Sequence, residues 1–244
     1  IHELLNRLNF SSSDRVGIAV SGRVDSDGCW HAINTNTLTG IEQVNLKKIF
    51  EERLKQRVAV MNDAVAAGLA EAVYGAGRGI PAFAYITVST GVGGVCVLKG
   101  KPVVSDNGLA GHVGFMTISN STELCGSGRI GTVENAASGR AIERQARLLK
   151  AKNYTAKEIV EFHLAGNGWA TKIVENSTSA IAELCGNLAA AIGVSTIVIG
   201  GGVGLSKGYC KSVQAFIDSE PELFRVKVER AKLEAHSVLV GALI

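Results

Sequence analysis

Three observations predict an α/β fold. Short apolar runs such as Gly17-Ile18-Ala19-Val20 and Thr196–Ile199 lack polar alternation, as strands buried on both faces do. Amphipathic stretches of helical length stand between such runs. The chain's 244 residues include 29 glycines against 3 prolines, and the glycines gather where those runs end. They follow no Gly-X-Y period, which excludes a collagen triple helix and predicts loops where backbone comes close to another group.

The elements follow in order. Arg15–Ser21 predicts a buried strand, with Gly22 and Asp27-Gly28 as turn residues after it. A charged amphipathic helix is expected over 42–56, a short buried strand over Val58–Met61, and a helix from Ala64 to Gly75. Phe83–Val88 and Val95–Leu98 predict two strands about the turn Ser89–Gly94, and a glycine-rich loop covers 106–114. Helices are expected over 134–150, 155–164 and 170–192. A buried strand over Thr196–Ile199, a helix over 206–218, a β segment near Arg225–Glu229 and an apolar, helix-capable tail complete the chain. Glycines and a proline near Gly79-Ile80-Pro81 break the helical pattern, so a boundary is expected there, between domains of residues 1–80 and 81–244, with the last helix free to return to the first.

Composition excludes several function classes. With 46% hydrophobic and 19% charged residues the chain is not intrinsically disordered. Its net charge is +3 with both signs scattered, so no basic stripe marks a nucleic-acid partner. Cys29, Cys96, Cys125, Cys185 and Cys210 are odd in number and never spaced C-x-x-C, which predicts reduced thiols and a cytoplasmic protein. No segment reaches the roughly 18 apolar residues of a membrane span, and no signal peptide opens the chain.

Four constellations can carry chemistry. Thr87-Val88-Ser89-Thr90-Gly91-Val92-Gly93-Gly94 exposes backbone N–H groups and hydroxyls, a nest suited to phosphate oxygens. It lacks the Lys-Ser/Thr of a Walker loop, and a tight hairpin is the plainer alternative, although so many small residues exceed what a hairpin needs. Ile199-Gly200-Gly201-Gly202-Val203-Gly204 ends a strand and opens a helix, where open α/β sheets bind anionic ligands; close strand–helix packing is its alternative. Asn62-Asp63 reads either as a helix cap or as a polyol-binding amide beside a general base. His112, in Gly108–Phe115, could bond a sugar hydroxyl or cap a turn, and Glu134 follows the run Cys125–Val133 at a helix start favoured by the macrodipole.

In this order the constellations resemble the ROK (repressor, open reading frame, kinase) family of sugar kinases. The run is N-D-A before a helix, S-T-G-V-G-G, L-A-G-H-x-G, C-G-x-G-x-x-G-x-V-E-x-x-A-S-G-R and V-x-G-G-x-V-G, spanning about Gly17 to Leu243. His112 after Ala110-Gly111 and the string Ile86–Gly94 resemble members that act on N-acetylmannosamine, and Gly22-Arg23 resembles a sugar-contacting Gly-Arg pair of the family. The resemblance implies a two-lobed actin/hexokinase-like (ribonuclease H-like) α/β fold. It implies ATP-dependent phosphorylation of N-acetyl-D-mannosamine at its 6-hydroxyl, a step in sialic acid degradation. Asp63 is then the general base. Gly22, Arg23, Asn34, Asn62, His112 and Glu134 hold the sugar. Thr90, Gly91, Gly93 and Gly94 hold phosphates, Gly201, Gly202 and Gly204 flank the adenosine, and Mg²⁺ bridges ATP oxygens. A homodimer is the family expectation. A glucose or N-acetylglucosamine kinase, or a sugar-responsive transcriptional regulator of the same family, is the alternative.

Two departures follow from the same resemblance. The family's structural zinc is held by one His and three Cys; here those positions are Phe115, Cys125, Ser127 and Thr132. A tetrahedral site needs about four N/S donors, so no zinc is expected, with Phe115 and Ile130 packing in its place. The family's opening D-x-G-G-T-K, its first phosphate loop, does not occur in the chain. By family spacing it belongs about 40–50 residues upstream of Ile1. The chain also has no initiator Met, so it is expected to be the larger part of a longer protein.

Overall fold

The computed structural model describes residues 7, 11, 14–33, 43–119 and 121–244. Its largest sheet has strand order β10-β9-β6-β7-β8, with β6 Ala82–Val88, β7 Val92–Leu98, β8 Lys101–Pro102, β9 Thr196–Gly200 and β10 Lys227–Arg230. β6 and β7 form an antiparallel hairpin, whereas β9 runs parallel to β6 and β10 parallel to β9. Successive side chains of a strand point to opposite faces, and β6 has a core on each. Phe83 and Tyr85 pack with Val95, Val97 and Val198 on one side. Ala84, Ile86 and Val88 pack with Ile142, Ile181, Leu184 and Ile199 on the other. Both faces are covered, and for that reason the strand shows no polar alternation.

A smaller parallel pair, β1 Val16–Val20 with β5 Val58–Asn62, and an antiparallel sheet of β2 Arg23–Val24, β3 Cys29–His31 and β4 Val44–Asn45 lie earlier in the chain. The helices are α1 Leu46–Leu54, α2 Asp63–Tyr74, α3 Val133–Ala137, α4 Gly139–Lys150, α5 Ala156–Leu164, α6 Gly168–Ile192, α7 Tyr209–Asp218 and α8 Ser237–Gly241. α8 brings the end of the chain back onto α2 and β1. A Cβ at Gly241 would lie 1.7 Å from the Ala66 carbonyl oxygen, and one at Gly17 would lie 1.7 Å from that of Ala242. At both contacts backbone meets backbone, which only glycine allows. No described helix is long and apolar enough to cross a membrane.

The boundaries differ from the sequence expectation at three places. The helix expected over 42–56 starts at Leu46, because Val44-Asn45 pair as β4 and Asn45 Oδ1 caps the helix by accepting from Lys48 N at 2.8 Å. The stretch 134–150 is two helices. Ser138 ends the first and caps the second, its Oγ accepting from Ala141 N at 3.1 Å. The strand after the Ser89–Gly94 turn starts at Val92, so Gly93 and Gly94 belong to β7, opposite Thr87 and Ile86.

The buried Glu71, at 0% exposure, ties the turn after α2 to the returning chain. Its Oε2 accepts from Ala76 N at 2.7 Å and its Oε1 from Leu233 N at 2.8 Å. A buried carboxyl group is tolerated where its oxygens are satisfied in this way.

Candidate active site

The register of the small parallel sheet sets Val20 opposite Asn62. Ser21-Gly22, after β1, and Asp63, after β5, therefore lie at one end of that sheet. Asn62 caps α2: its Oδ1 accepts from Ala64 N at 2.9 Å and Val65 N at 3.3 Å, and its Nδ2 donates to the Gly22 carbonyl at 2.9 Å. Gly22 has φ +108°, and a Cβ there would lie 2.8 Å from the His31 carbonyl oxygen. Only a residue without a side chain fits that position.

Asp63 is the first residue of α2. Burial raises its pKa above the ordinary aspartate range, opposed by hydrogen bonds from the Ala64 and Asp63 backbone N–H groups and from Asn62. Desolvation of this kind makes a carboxylate a better proton acceptor at neutral pH.

The β6–β7 turn faces the same space. Glu134, from α3, reaches across to it: its Oε2 accepts from Val92 N at 3.3 Å. A Cβ at Gly91 would come within 2.7 Å of that oxygen, so the glycine makes room for the carboxylate. His112 follows Gly111, whose φ is +86° and whose Cβ would lie 2.9 Å from the Gly94 carbonyl. Burial lowers the His112 pKa, the Arg23 charge lowers it further, and a hydrogen bond to the Gly108 backbone opposes both. The imidazole is therefore neutral at pH 7, with one nitrogen able to donate and one able to accept. Its ring stacks on Phe115 at 6.0 Å.

These groups line one cleft of about 680 Å³. It gathers Gly22, Asn62, Asp63, Thr90, Gly91, Gly93, His112 and Glu134. A second cleft of about 630 Å³ is lined by Gly202, Val203, Ser206, Lys157 and Lys207. A hollow of about 870 Å³ beside β1 and β5 contains none of the motif residues.

Other expected site residues stand elsewhere. The Arg23 guanidinium donates to the Asn107 carbonyl and does not line the cleft. Gly94 sits within β7, where a Cβ would meet the Tyr85 carbonyl at 2.6 Å. Gly201 and Gly204 line neither cleft. Gly201, at φ +84°, lies under Val88, whose carbonyl accepts from Val203 N and Gly204 N at 3.0 Å each. Those glycines serve close packing against β6, and only Gly202 opens on a cleft. Asn34 lies outside the described residues. Ser89 of the expected phosphate nest lines the first cleft too, as do Arg140 and Arg144, which have no role assigned from sequence. The sequence sign for Arg140 is the Ala137-Ser138-Gly139-Arg140 run, which opens α4 against the Ser89-Thr90 turn.

The four positions of the family's zinc site do not fit that metal. Cys125 Sγ is 2.8 Å from Ser127 Oγ and accepts from Ser127 N at 3.4 Å. Burial pushes this thiol's pKa up, but hydrogen bonds from Ser127, Thr132 and the Ser127 and Arg129 backbones outweigh it and leave it lowered. Phe115 lines the first cleft and stacks on His112, while Ile130 is 62% exposed. The expectation that Ile130 helps fill a vacated metal shell is therefore wrong: the bridge pairing Leu124 with Ile130 leaves its side chain in solvent. Among the described residues no three His, Cys, Asp or Glu side chains gather as metal ligands.

The ROK family model matches residues 1–244. The N-acetylmannosamine kinase of Vibrio cholerae serotype O1 is 36% identical over 231 residues, which are 95% of this chain and 79% of that protein. That of Vibrio vulnificus is 38% identical over 234 residues, with the same coverage of each. A crystal structure of the ROK hexokinase from Thermus thermophilus superposes with a TM-score of 0.84 at 28% identity, covering 99% of this chain and 81% of that one. The hexokinase-like α/β fold, the ordered motifs and the whole-length match agree: this chain belongs to the ROK family.

Proposed function

We propose that the protein phosphorylates N-acetyl-D-mannosamine at its 6-hydroxyl with ATP, using Asp63 as general base. The observation that carries this is the placement of Asp63. It is a desolvated carboxylate at the mouth of α2, in one cleft with His112, Glu134, Asn62 and the Thr90–Gly93 loop. The similarity to N-acetylmannosamine kinases at 36–38% identity supports the choice of sugar.

In this assignment the sugar lies in the first cleft, with its hydroxyls within reach of Asn62, neutral His112 and Glu134. The nucleotide lies in the second, and the Ser89–Gly93 turn receives phosphate oxygens between them. The two lobes about the clefts divide near residue 80, with α8 returning from the second onto the first. Mg²⁺ bound with the nucleotide would supply charge neutralisation at its phosphates. The protein's part is to position the acceptor oxygen, take its proton and offset the charge of the group in transit.

The test is turnover by the full-length protein with N-acetylmannosamine, N-acetylglucosamine and glucose, followed by coupled ADP release. A preference for N-acetylmannosamine is expected. Equal or better turnover of its carbon-2 epimer would remove the assignment of the sugar. Asp63→Asn should lower kcat by about 10³-fold while the protein stays folded; unchanged turnover would remove Asp63 from the base role.

A further inference from the structure

The two clefts share part of their lining. Ser89, Thr90 and Arg140 are the residues that line both. Any group passing from an occupant of one cleft to an occupant of the other passes these three. Arg140 is the one cation among them; Lys157 and Lys207 line the second cleft alone, and Arg144 lines the first.

The backbone fixes Arg140 to the loop it would work with. Gly139 N donates to the Ser89 carbonyl at 2.7 Å, and Arg140 N lies 3.4 Å from the Thr90 carbonyl. A Cβ at Gly139 would sit 2.9 Å from the Ser89 oxygen, so glycine permits this docking of α4 on the turn. Two charged side chains of the same helix are engaged. Glu143 accepts from Ala156 N at 2.9 Å, and Arg144 donates to the Asn135 carbonyl at 2.7 Å and lies 3.6 Å from Glu123. Among the described residues the Arg140 guanidinium has no such hydrogen bond or ion pair, and the residue is exposed.

We propose that Arg140 is a further catalytic residue, the cation that grips the non-bridging oxygens of the phosphoryl group as it crosses from nucleotide to sugar. This rests on the phosphotransfer assigned above. In the step, the sugar O6 attacks phosphorus and its proton passes to Asp63. The O6–P bond forms as the bond from phosphorus to the bridging oxygen of the nucleoside diphosphate breaks, and the diphosphate leaves with that electron pair. Charge spreads over the equatorial oxygens during this exchange, and a planar guanidinium can pair with two of them at once.

The test compares Arg140→Ala and Arg140→Lys with the unmutated full-length protein. Calorimetry measures affinity for ADP and for the β,γ-imido analogue of ATP, and kinetics measures kcat and KM. Arg140→Ala is expected to weaken the triphosphate analogue by about tenfold or more and ADP by less than about twofold. It should lower kcat by about 10²–10³-fold with little change in the sugar's KM. Arg140→Lys should recover part of the analogue affinity and little of kcat, because a point charge replaces the fork.

Equal losses for both nucleotides would make Arg140 a general nucleotide contact and overturn the proposal, as would no loss for either. The sugar assignment fails separately. A protein that ignores N-acetylmannosamine but shows the triphosphate-selective loss keeps Arg140 as the phosphoryl clamp for another acceptor. A protein that phosphorylates the sugar with Arg140→Ala unchanged in both readouts keeps its substrate and loses Arg140.

Discussion

Helix α2 carries a carboxyl group near each end, and the two ends differ in what surrounds them. At the start, Asp63 faces a cleft, and its hydrogen bonds among the described residues come from its own helix cap. Near the finish, Glu71 is fully buried, and each of its oxygens accepts from a backbone N–H of a different chain segment. The first group keeps acceptor capacity for a ligand. The second has been used up in joining the turn at Ala76 to the returning strand end at Leu233. Burial alone does not separate chemistry from architecture here; what separates them is whether the oxygens are already satisfied.

The largest expected effect on this contrast is functional. Asp63→Asn keeps the shape of the side chain and an oxygen for Ala64 N, so turnover should fall by about 10³-fold without loss of folding. Glu71→Ala should do the reverse. It strands two buried N–H donors and leaves a cavity, which costs about 3–5 kcal/mol. At about 2–4 °C per kcal/mol for a chain of this size, the melting temperature should drop by roughly 10 °C. The folded fraction should keep its kcat. A Glu71→Ala protein with unchanged melting and depressed kcat would reverse the two roles.

A smaller effect separates two glycines in the same way. Gly201 has φ +84° and a Cβ there would lie 2.4 Å from the Val88 oxygen, whereas a Cβ at Gly202 would meet nothing within 4 Å. Gly201→Ala should therefore cost about 2–3 kcal/mol in stability. Gly202→Ala should leave stability within about 0.5 kcal/mol and change nucleotide affinity instead. Thermal melting together with calorimetry distinguishes the pair; matching melting temperatures for the two variants would break the comparison.

Sequence patterns carried the strands and most helices because their causes are local. The uninterrupted run Phe83–Val88 and the cap chemistry of Asn62-Asp63 can be read without a partner. The order of the glycine motifs also carried the family. What the sequence left ambiguous depended on contacts distant in the chain. That Gly201 lies under the Val88 carbonyl and that Gly204 N bonds it could not be read from the glycine run. That the Arg23 guanidinium reaches the Asn107 carbonyl could not be read from the Gly22-Arg23 pair either. Arg140 drew no attention because its position between two clefts exists only after α4 docks on the Ser89-Thr90 turn. Glu71 shows no sequence sign of its partner at Leu233, 162 residues away.

The smallest expected effect is the pH dependence of Asp63 itself. Its folded pKa is raised by burial, so the folded state prefers the protonated form. The sign follows from linkage: this contribution favours folding at low pH, where the group is protonated, and is lost as pH rises through the folded value. At pH 7 the buried charge is therefore a modest liability, and Asp63→Asn, which removes it, should raise the melting temperature slightly. Near pH 3 the native carboxyl is already neutral and the gain should vanish. In the unmutated protein the same shift places the acid limb of kcat/KM above the ordinary aspartate range, since the base works only when ionised. Melting curves of both proteins from pH 3 to pH 8 check the first consequence and a rate profile checks the second. A stability gain from Asp63→Asn that is constant across pH would show that the carboxylate is not desolvated, and Asp63 would then resemble an ordinary helix cap.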